Sequence, residues 1–153
     1  MGIGDKTGEL RFTADGDTVN HALAEGEVCA NAVSVEVTTL DTMLVGASPS
    51  LIKIDVEGFE KQVLLGAQTV LANSSLYSVI MELNGSGERY GFDESTILEM
   101  MLDHGFRAYS YSPFERTLLD LNGKNLDSGN TLFIRNREYV DERLRTAGQI
   151  TIN

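Results

Sequence analysis

The apolar positions of this chain change period near its middle. Leu51, Ile52, Ile54 and Val56 lie too close together for a half-exposed strand, which would alternate apolar with polar residues. The run predicts a strand buried on both faces, as in a parallel sheet covered by helices. Beyond Gly58 the spacing becomes helical. Phe59, Val63, Leu64, Ala67, Val70 and Leu71 recur on one side, and no proline interrupts them. The unit reads strand, tight turn, helix.

The flanks follow the same logic. Glu9-Leu10-Arg11-Phe12 alternates and predicts a short strand or hairpin arm. Residues 14 to 32 have no clear period and predict a loop. Val33, Val35 and Val37 alternate with Ser34, Glu36 and Thr38, a half-buried strand. Asp41 or Thr42 is the expected cap of a short helical turn. Tyr77 to Leu83 predicts a second, mostly buried strand. Asp93 is the expected N-cap of a helix running to about His104, with Gly105 as its left-handed stop. Phe106–Tyr111, Leu118–Leu121 and Thr131–Ile134 predict further strands, and Asn122-Gly123 is a hairpin-turn signal. Tyr139, Val140 and Leu144 mark a short charged helix.

Two strand–helix units followed by strands without helices predict an α/β sheet. The opening units would be parallel through right-handed crossovers, and the last strands would add an antiparallel edge. With 153 residues and no linker, the chain reads as a single domain, residues 1–153.

Acids outnumber bases 23 to 12, giving a formal charge of -11. This disfavours nucleic acid and anionic membrane as partners, which both need a positive surface. Cys29 is the one cysteine, so no internal disulfide can form. Met1-Gly2-Ile3-Gly4-Asp5 has neither the basic region nor the apolar core of a secretory signal, and a cytoplasmic location is expected.

In open α/β sheets, ligands bind in the crevice beyond the carboxyl ends of the strands. Asp55 and Glu57 are placed there, two residues apart at the end of one predicted strand, with Gly58 supplying the turn. Acids so placed can take a proton from a hydroxyl, bind a hydroxyl-rich substrate or hold a divalent cation. Alternatively, Glu57 only complements the helix N-terminus that follows. Glu82 ends the next strand and would lie beside the pair. Lys53 either pairs with an acid or extends its head outward. His104 suits a helix C-terminus, and His21 has no ligand spacing to any partner, so neither is assigned chemistry and no metal site is expected.

Ile52-Lys53-Ile54-Asp55-Val56-Glu57-Gly58-Phe59-Glu60, followed by Val63-Leu64-Leu65-Gly66-Ala67, resembles the hallmark segment of the FkbM-type methyltransferases. Val37-Thr38-Thr39-Leu40-Asp41, Val79-Ile80-Met81-Glu82 and His104-Gly105-Phe106 fit the same resemblance, which runs from about residue 2 to 136. It implies a class I, Rossmann-like fold: a three-layer sheet of parallel strands with an antiparallel last strand. Leu51–Val56 would be the fourth strand, Tyr77–Leu83 the fifth, Phe106–Tyr111 the sixth and Thr131–Arg135 the seventh. It implies an S-adenosylmethionine-dependent O-methyltransferase acting on a hydroxyl of a small molecule, a sugar or secondary metabolite. Asp55, Glu57 and Glu82 become the catalytic candidates, and Asp5, after Gly4, resembles the acid near the adenine.

The family's Gly-rich turn after a first apolar strand has no counterpart in this sequence. The chain therefore reads as the C-terminal part of a methyltransferase domain, lacking the first strands and expected to be inactive alone. Its fourth strand would then be an open edge, which predicts a homodimer, or else a rearrangement in which Val33–Thr39 or the N-terminal arm covers that edge. Two other readings stay open. One is a non-catalytic α/β module whose acid-lined crevice holds a sugar or divalent cation. The other is a carboxylate-pair hydrolase, although nothing sets the two acids on opposite sides of a scissile bond.

Overall fold

A computed structural model describes residues 1–14, 16, 20–127 and 129–148. The first strands form a small sheet of their own. β1 (Gly2–Ile3), β2 (Gly8–Phe12) and β3 (Val33–Thr38) lie in the order β1–β3–β2, with β3 parallel to β1 and antiparallel to β2. The alternation in β3 ends on a buried Val37, while Val33 at the other end is exposed. Phe12 also bridges Ala22 inside the stretch expected to be a loop. Positions 15 and 17–19 of that predicted loop lie outside the described residues.

The main sheet has five strands: β4 (Leu51–Ile54), β5 (Ser78–Glu82), β6 (Arg107–Ser112), β7 (Thr117–Asp120) and β8 (Asn130–Ile134). Their order is β4–β5–β8–β6–β7. β4 and β5 are parallel, with Ile54 beside Met81. β8 is antiparallel to both β5 and β6. The architecture is the expected mixed α/β.

Two expectations about this sheet need correction. β4 is not buried on both faces. It ends at Ile54, pairs with β5 on one edge only, and exposes Leu51 and Lys53. The interior place belongs to β5, which has neighbours on both edges and buries Ser78, Val79 and Met81. Neither β3 nor the N-terminal arm covers the open edge, because β1, β2 and β3 satisfy one another in their own sheet. The last strands do add the expected antiparallel edge, which is β7, while β8 is antiparallel and interior.

That insertion explains why Asn122-Gly123 makes no hairpin. β7 and β8 are both antiparallel to β6, so they run the same way on opposite sides of it. A two-residue turn joins only antiparallel neighbours. The tight turn lies instead between β6 and β7, where Arg116 takes a positive φ of 57°. The chain from Leu121 onward crosses the sheet on the side of α4 (Ser95–Asp103), where Lys124 pairs with Glu94 at 2.5 Å.

Helices cover both faces. α2 (Glu60–Leu65), α3 (Gln68–Ala72) and α4 pack Val63, Leu64, Val70, Leu71, Ile97 and Met101 against Val79, Met81 and Phe133. α5 (Arg137–Thr146) lies on the opposite face, its Val140 and Leu144 packed against Tyr109, Leu118 and Ile134. Neighbouring residues of β8 therefore serve opposite layers, as a pleated strand requires. Burial of these apolar side chains, at roughly 25 cal/mol per Å², is the main favourable term. Among the described residues, no helix is long and apolar enough to cross a membrane.

The single helix expected after Gly58 is broken in two. At Gly66 the chain passes so close to Gly4 that a Cβ would lie 2.1 Å from the Gly4 carbonyl oxygen. The Gly66 carbonyl accepts the N–H of Asp41 at 3.0 Å. The Asp41 carboxylate in turn accepts from Thr69 N at 3.0 Å and Val70 N at 2.9 Å, capping α3 from 28 and 29 residues away. The cap of α1 (Leu40–Met43) is neither Asp41 nor Thr42 but Thr39, whose hydroxyl accepts from Thr42 N at 3.0 Å. The N-cap position of α4 is Glu94 rather than Asp93, which accepts from Ser95 N at 2.7 Å just ahead of the helix, and Gly105, at φ 81°, stops that helix as expected. His104 bonds the Met100 carbonyl through Nδ1 at 2.9 Å. His21 faces Glu27 at 3.0 Å.

Candidate functional site

The parallel register of β4 and β5 builds the site. Side chains side by side on parallel neighbours point the same way. Ile54 lies beside Met81, and one residue further along each strand come Asp55 and Glu82. The two acids lie close enough for the Asp55 charge to act on Glu82. Lys53, two residues before Asp55, reaches the same carboxylate with Nζ 2.5 Å from Oδ2. This resolves the two readings of Lys53 in favour of pairing, and the bond holds its ammonium above the usual lysine range.

The turn that follows is unusual. Glu57 and Gly58 both have positive φ, 53° and 99°. A non-glycine residue in that region carries a backbone cost and signals that its surroundings hold it there. A Cβ on Gly58 would lie 2.5 Å from the Ser86 carbonyl oxygen, so the turn is pressed against the loop after β5. Arg89 of that loop donates through a terminal guanidinium N–H to the Glu57 carbonyl at 3.3 Å. Asp55 and Glu57 therefore do not share one strand, as the sequence suggested. Asp55 follows the strand's last residue, and Glu57 occupies the turn.

Burial is the largest effect that raises the Glu82 carboxyl above the usual glutamate range. The Asp55 and Glu57 charges add to it, and Lys53 opposes them. Asp55, Glu57 and Glu82 are thus brought together electrostatically. Asp5 is not among the groups acting on Glu82, and it is exposed beyond β1. Among the described residues, no group of His, Cys, Asp or Glu has an arrangement that could hold a metal ion.

The cluster opens at the carboxyl ends of β4 and β5. The nearby cavity, of about 280 Å³, is lined by Gly85, Glu88, Phe92, Glu94, Leu98 and Lys124, and the three acids are not part of its wall. Glu94 accepts from Gly85 N at 2.6 Å and from Lys124 at 2.5 Å, tying the loop after β5 to the connection leading to β8.

Sequence reasoning passed over Glu60. It is only 3% exposed, and its Oε1 accepts from Val56 N at 3.4 Å and Gly58 N at 3.3 Å. Burial raises its carboxyl above the usual range, partly offset by its own backbone N–H and then by those of Gly58 and Val56. The signal was available: an acid in the first turn of a helix, two residues past a glycine, is within reach of the turn's orphan N–H groups.

Chemically, the arrangement offers a paired carboxylate at Asp55 beside a more weakly acidic carboxyl at Glu82. A group whose pKa is moved toward the working pH is a better proton acceptor for a reacting hydroxyl than an ordinary surface acid. Comparison with curated proteins gave no match, and comparison with solved structures gave none either. The family model of the methyltransferase FkbM domain matches residues 2–108, from β1 into the start of β6. The hallmark turn, the acid pair and the strand bearing Glu82 all lie within that span, and the chain belongs to the FkbM methyltransferase family.

Proposed function

We propose that the Asp55–Glu57–Glu82 group receives the hydroxyl of a small-molecule acceptor, a sugar or secondary metabolite, in S-adenosylmethionine-dependent O-methylation. The observation that carries this reading is the convergence of Asp55 and Glu82 at the carboxyl ends of two parallel strands, with Lys53 on the Asp55 carboxylate. Asp55 would orient the hydroxyl and Glu82 would accept its proton. The strand order supports a class I, Rossmann-like assignment. With β4, β5, β6 and β8 as fourth, fifth, sixth and seventh strands, the seventh runs antiparallel between the fifth and sixth.

The residues around β1 fit the methyl donor poorly. Such a donor needs bare backbone that it can approach closely. The glycines around β1 are already packed against the chain itself: a Cβ on Gly2 would meet Val37 at 2.9 Å, and one on Gly4 would meet Phe59 at 3.4 Å. Asp5 is exposed beside them. This chain on its own is therefore expected to bind the donor weakly.

The test is transfer of a labelled methyl group from S-adenosylmethionine to a panel of sugars and glycosides, alongside calorimetric titration of the donor. Expected results are donor affinity weaker than micromolar and loss of any observed transfer in the Asp55→Asn and Glu82→Gln variants. Micromolar binding, or transfer that survives both substitutions, overturns the reading. We propose further that a second copy of the chain covers the open edge of β4, where Leu51 is 54% exposed. Light scattering after size exclusion decides between this and a monomer.

A further inference from the structure

We infer that Glu60 is the positioning residue of this site: its buried carboxylate, by holding Val56 and Gly58, fixes where Asp55 and Glu57 present theirs. The inference rests on the reading of Asp55, Glu57 and Glu82 as the site.

Three observations carry it. First, the turn from Asp55 to Phe59 contains two consecutive residues at positive φ, and one of them, Glu57, is not glycine. Nothing in the local sequence favours that conformation at Glu57, so tertiary contacts must hold it. Second, those contacts are few and identifiable. From within, Glu60 Oε1 receives the N–H groups on either side of Glu57, from Val56 and Gly58. From without, Arg89 donates to the Glu57 carbonyl, and the Ser86 carbonyl packs against Gly58. Third, burying a carboxylate is costly unless it is hydrogen-bonded. Glu60 is 3% exposed, and its side chain accepts from this turn. Simple capping of α2 would not need an acceptor reaching back as far as Val56. The bond to Val56 N extends the restraint to the residue directly after Asp55.

The role is one of geometry, and the acceptor oxygen matters more than the charge. Glu60→Gln keeps an oxygen at that position, whereas Glu60→Ala removes it. Amide hydrogen exchange and carboxyl titration followed by nuclear magnetic resonance read the effect without any need for substrate. In Glu60→Ala, exchange at Val56 and Gly58 is expected to accelerate about ten-fold or more, the scale of a hydrogen bond to a charged group. Glu82 should titrate closer to the ordinary glutamate range as Asp55 and Glu57 lose their fixed places. Glu60→Gln should retain both the slow exchange and the raised Glu82 titration.

Wild-type exchange and titration in Glu60→Ala overturn the inference. So does a Glu60→Gln protein that behaves like the alanine variant, because charge rather than the acceptor oxygen would then hold the turn. If Glu60→Ala does not fold, the Glu60→Gln outcome alone decides in the same way. Failure of the functional reading would show separately, as methyl transfer indifferent to Asp55 and Glu82.

Discussion

The Asp41 carboxylate accepts the backbone N–H of Val70 at 2.9 Å, so a residue of α1 caps α3 across 29 positions of sequence. The second oxygen takes Thr69 N at 3.0 Å. Loss of an N-cap acceptor costs about 0.5–2 kcal/mol. Asp41→Ala is expected to fall in that range by urea denaturation, and Asp41→Asn, which retains one acceptor oxygen, to lose less.

Two glycines near the site tolerate no side chain, for different reasons. Gly58 combines a φ of 99° with a would-be Cβ 2.5 Å from Ser86 O. Gly66 has an ordinary φ of -86°, and only the Gly4 carbonyl, 2.1 Å from a would-be Cβ, forbids substitution. Each change to alanine is expected to destabilise by about 3 kcal/mol or more. The two differ in where the damage falls. Gly66→Ala should speed hydrogen exchange at Gly4 and Asp41, whose N–H groups bond Thr38 and Gly66, while Gly58→Ala should speed it at Val56.

Glu60 and Glu82 both hold their protons more tightly in the folded chain than in the unfolded one. Below the ordinary glutamate range both states are protonated and the two groups cost nothing. As pH rises from that range through the raised folded values, the unfolded chain releases its protons first, and stability falls. Glu82→Gln is therefore expected to raise the melting temperature more at about pH 7 than at about pH 4. Equal shifts at both pH values would contradict the assignment. Glu27 and Asp93 act oppositely, because hydrogen bonds from Ala24 N and Ser95 N lower them and that support is lost as pH falls.

Arg135 joins three segments. Its guanidinium donates to the carbonyls of Leu71, Asn73 and His104, and it lies 4.3 Å over the Phe106 ring. Lysine keeps the charge but lacks the planar fork. Arg135→Lys is expected to lose about 2–4 kcal/mol on unfolding, close to Arg135→Ala, since each hydrogen bond to a charged group is worth about 1.5–3 kcal/mol.

What could be read from the sequence was local. The alternation of Val33, Val35 and Val37 marked β3, the apolar run from Leu51 marked β4, and Gly105 marked the end of α4. The hallmark residues led to the family, and Asp55 with Glu82 did meet. What escaped depended on partners distant in sequence. The run at Leu51 says that a strand is apolar, but not whether a second strand lies beyond it. Asn122-Gly123 favours a turn, yet the pairing of β8 with β5 decides where the chain must go. Helical spacing from Phe59 to Leu71 carried no trace of the Gly4 carbonyl that breaks the helix. Glu60 looked like any acid of a first helical turn until the backbone ahead of it folded back.

The threading of β8 between β5 and β6 has a kinetic consequence. Among the described residues, the β4–β5 pair and the β6–β7 pair share no ladder until β8 joins them. The strand that unites the sheet is thus the last of these five strands to leave the ribosome. Until then, β5 and β6 each present an unmatched edge, the kind of surface through which nascent chains stick to one another. A ribosome stalled before Asn130 should therefore display a chain that resists protease in pieces rather than as one body, and each added residue of β8 should tighten it toward a single unfolding event.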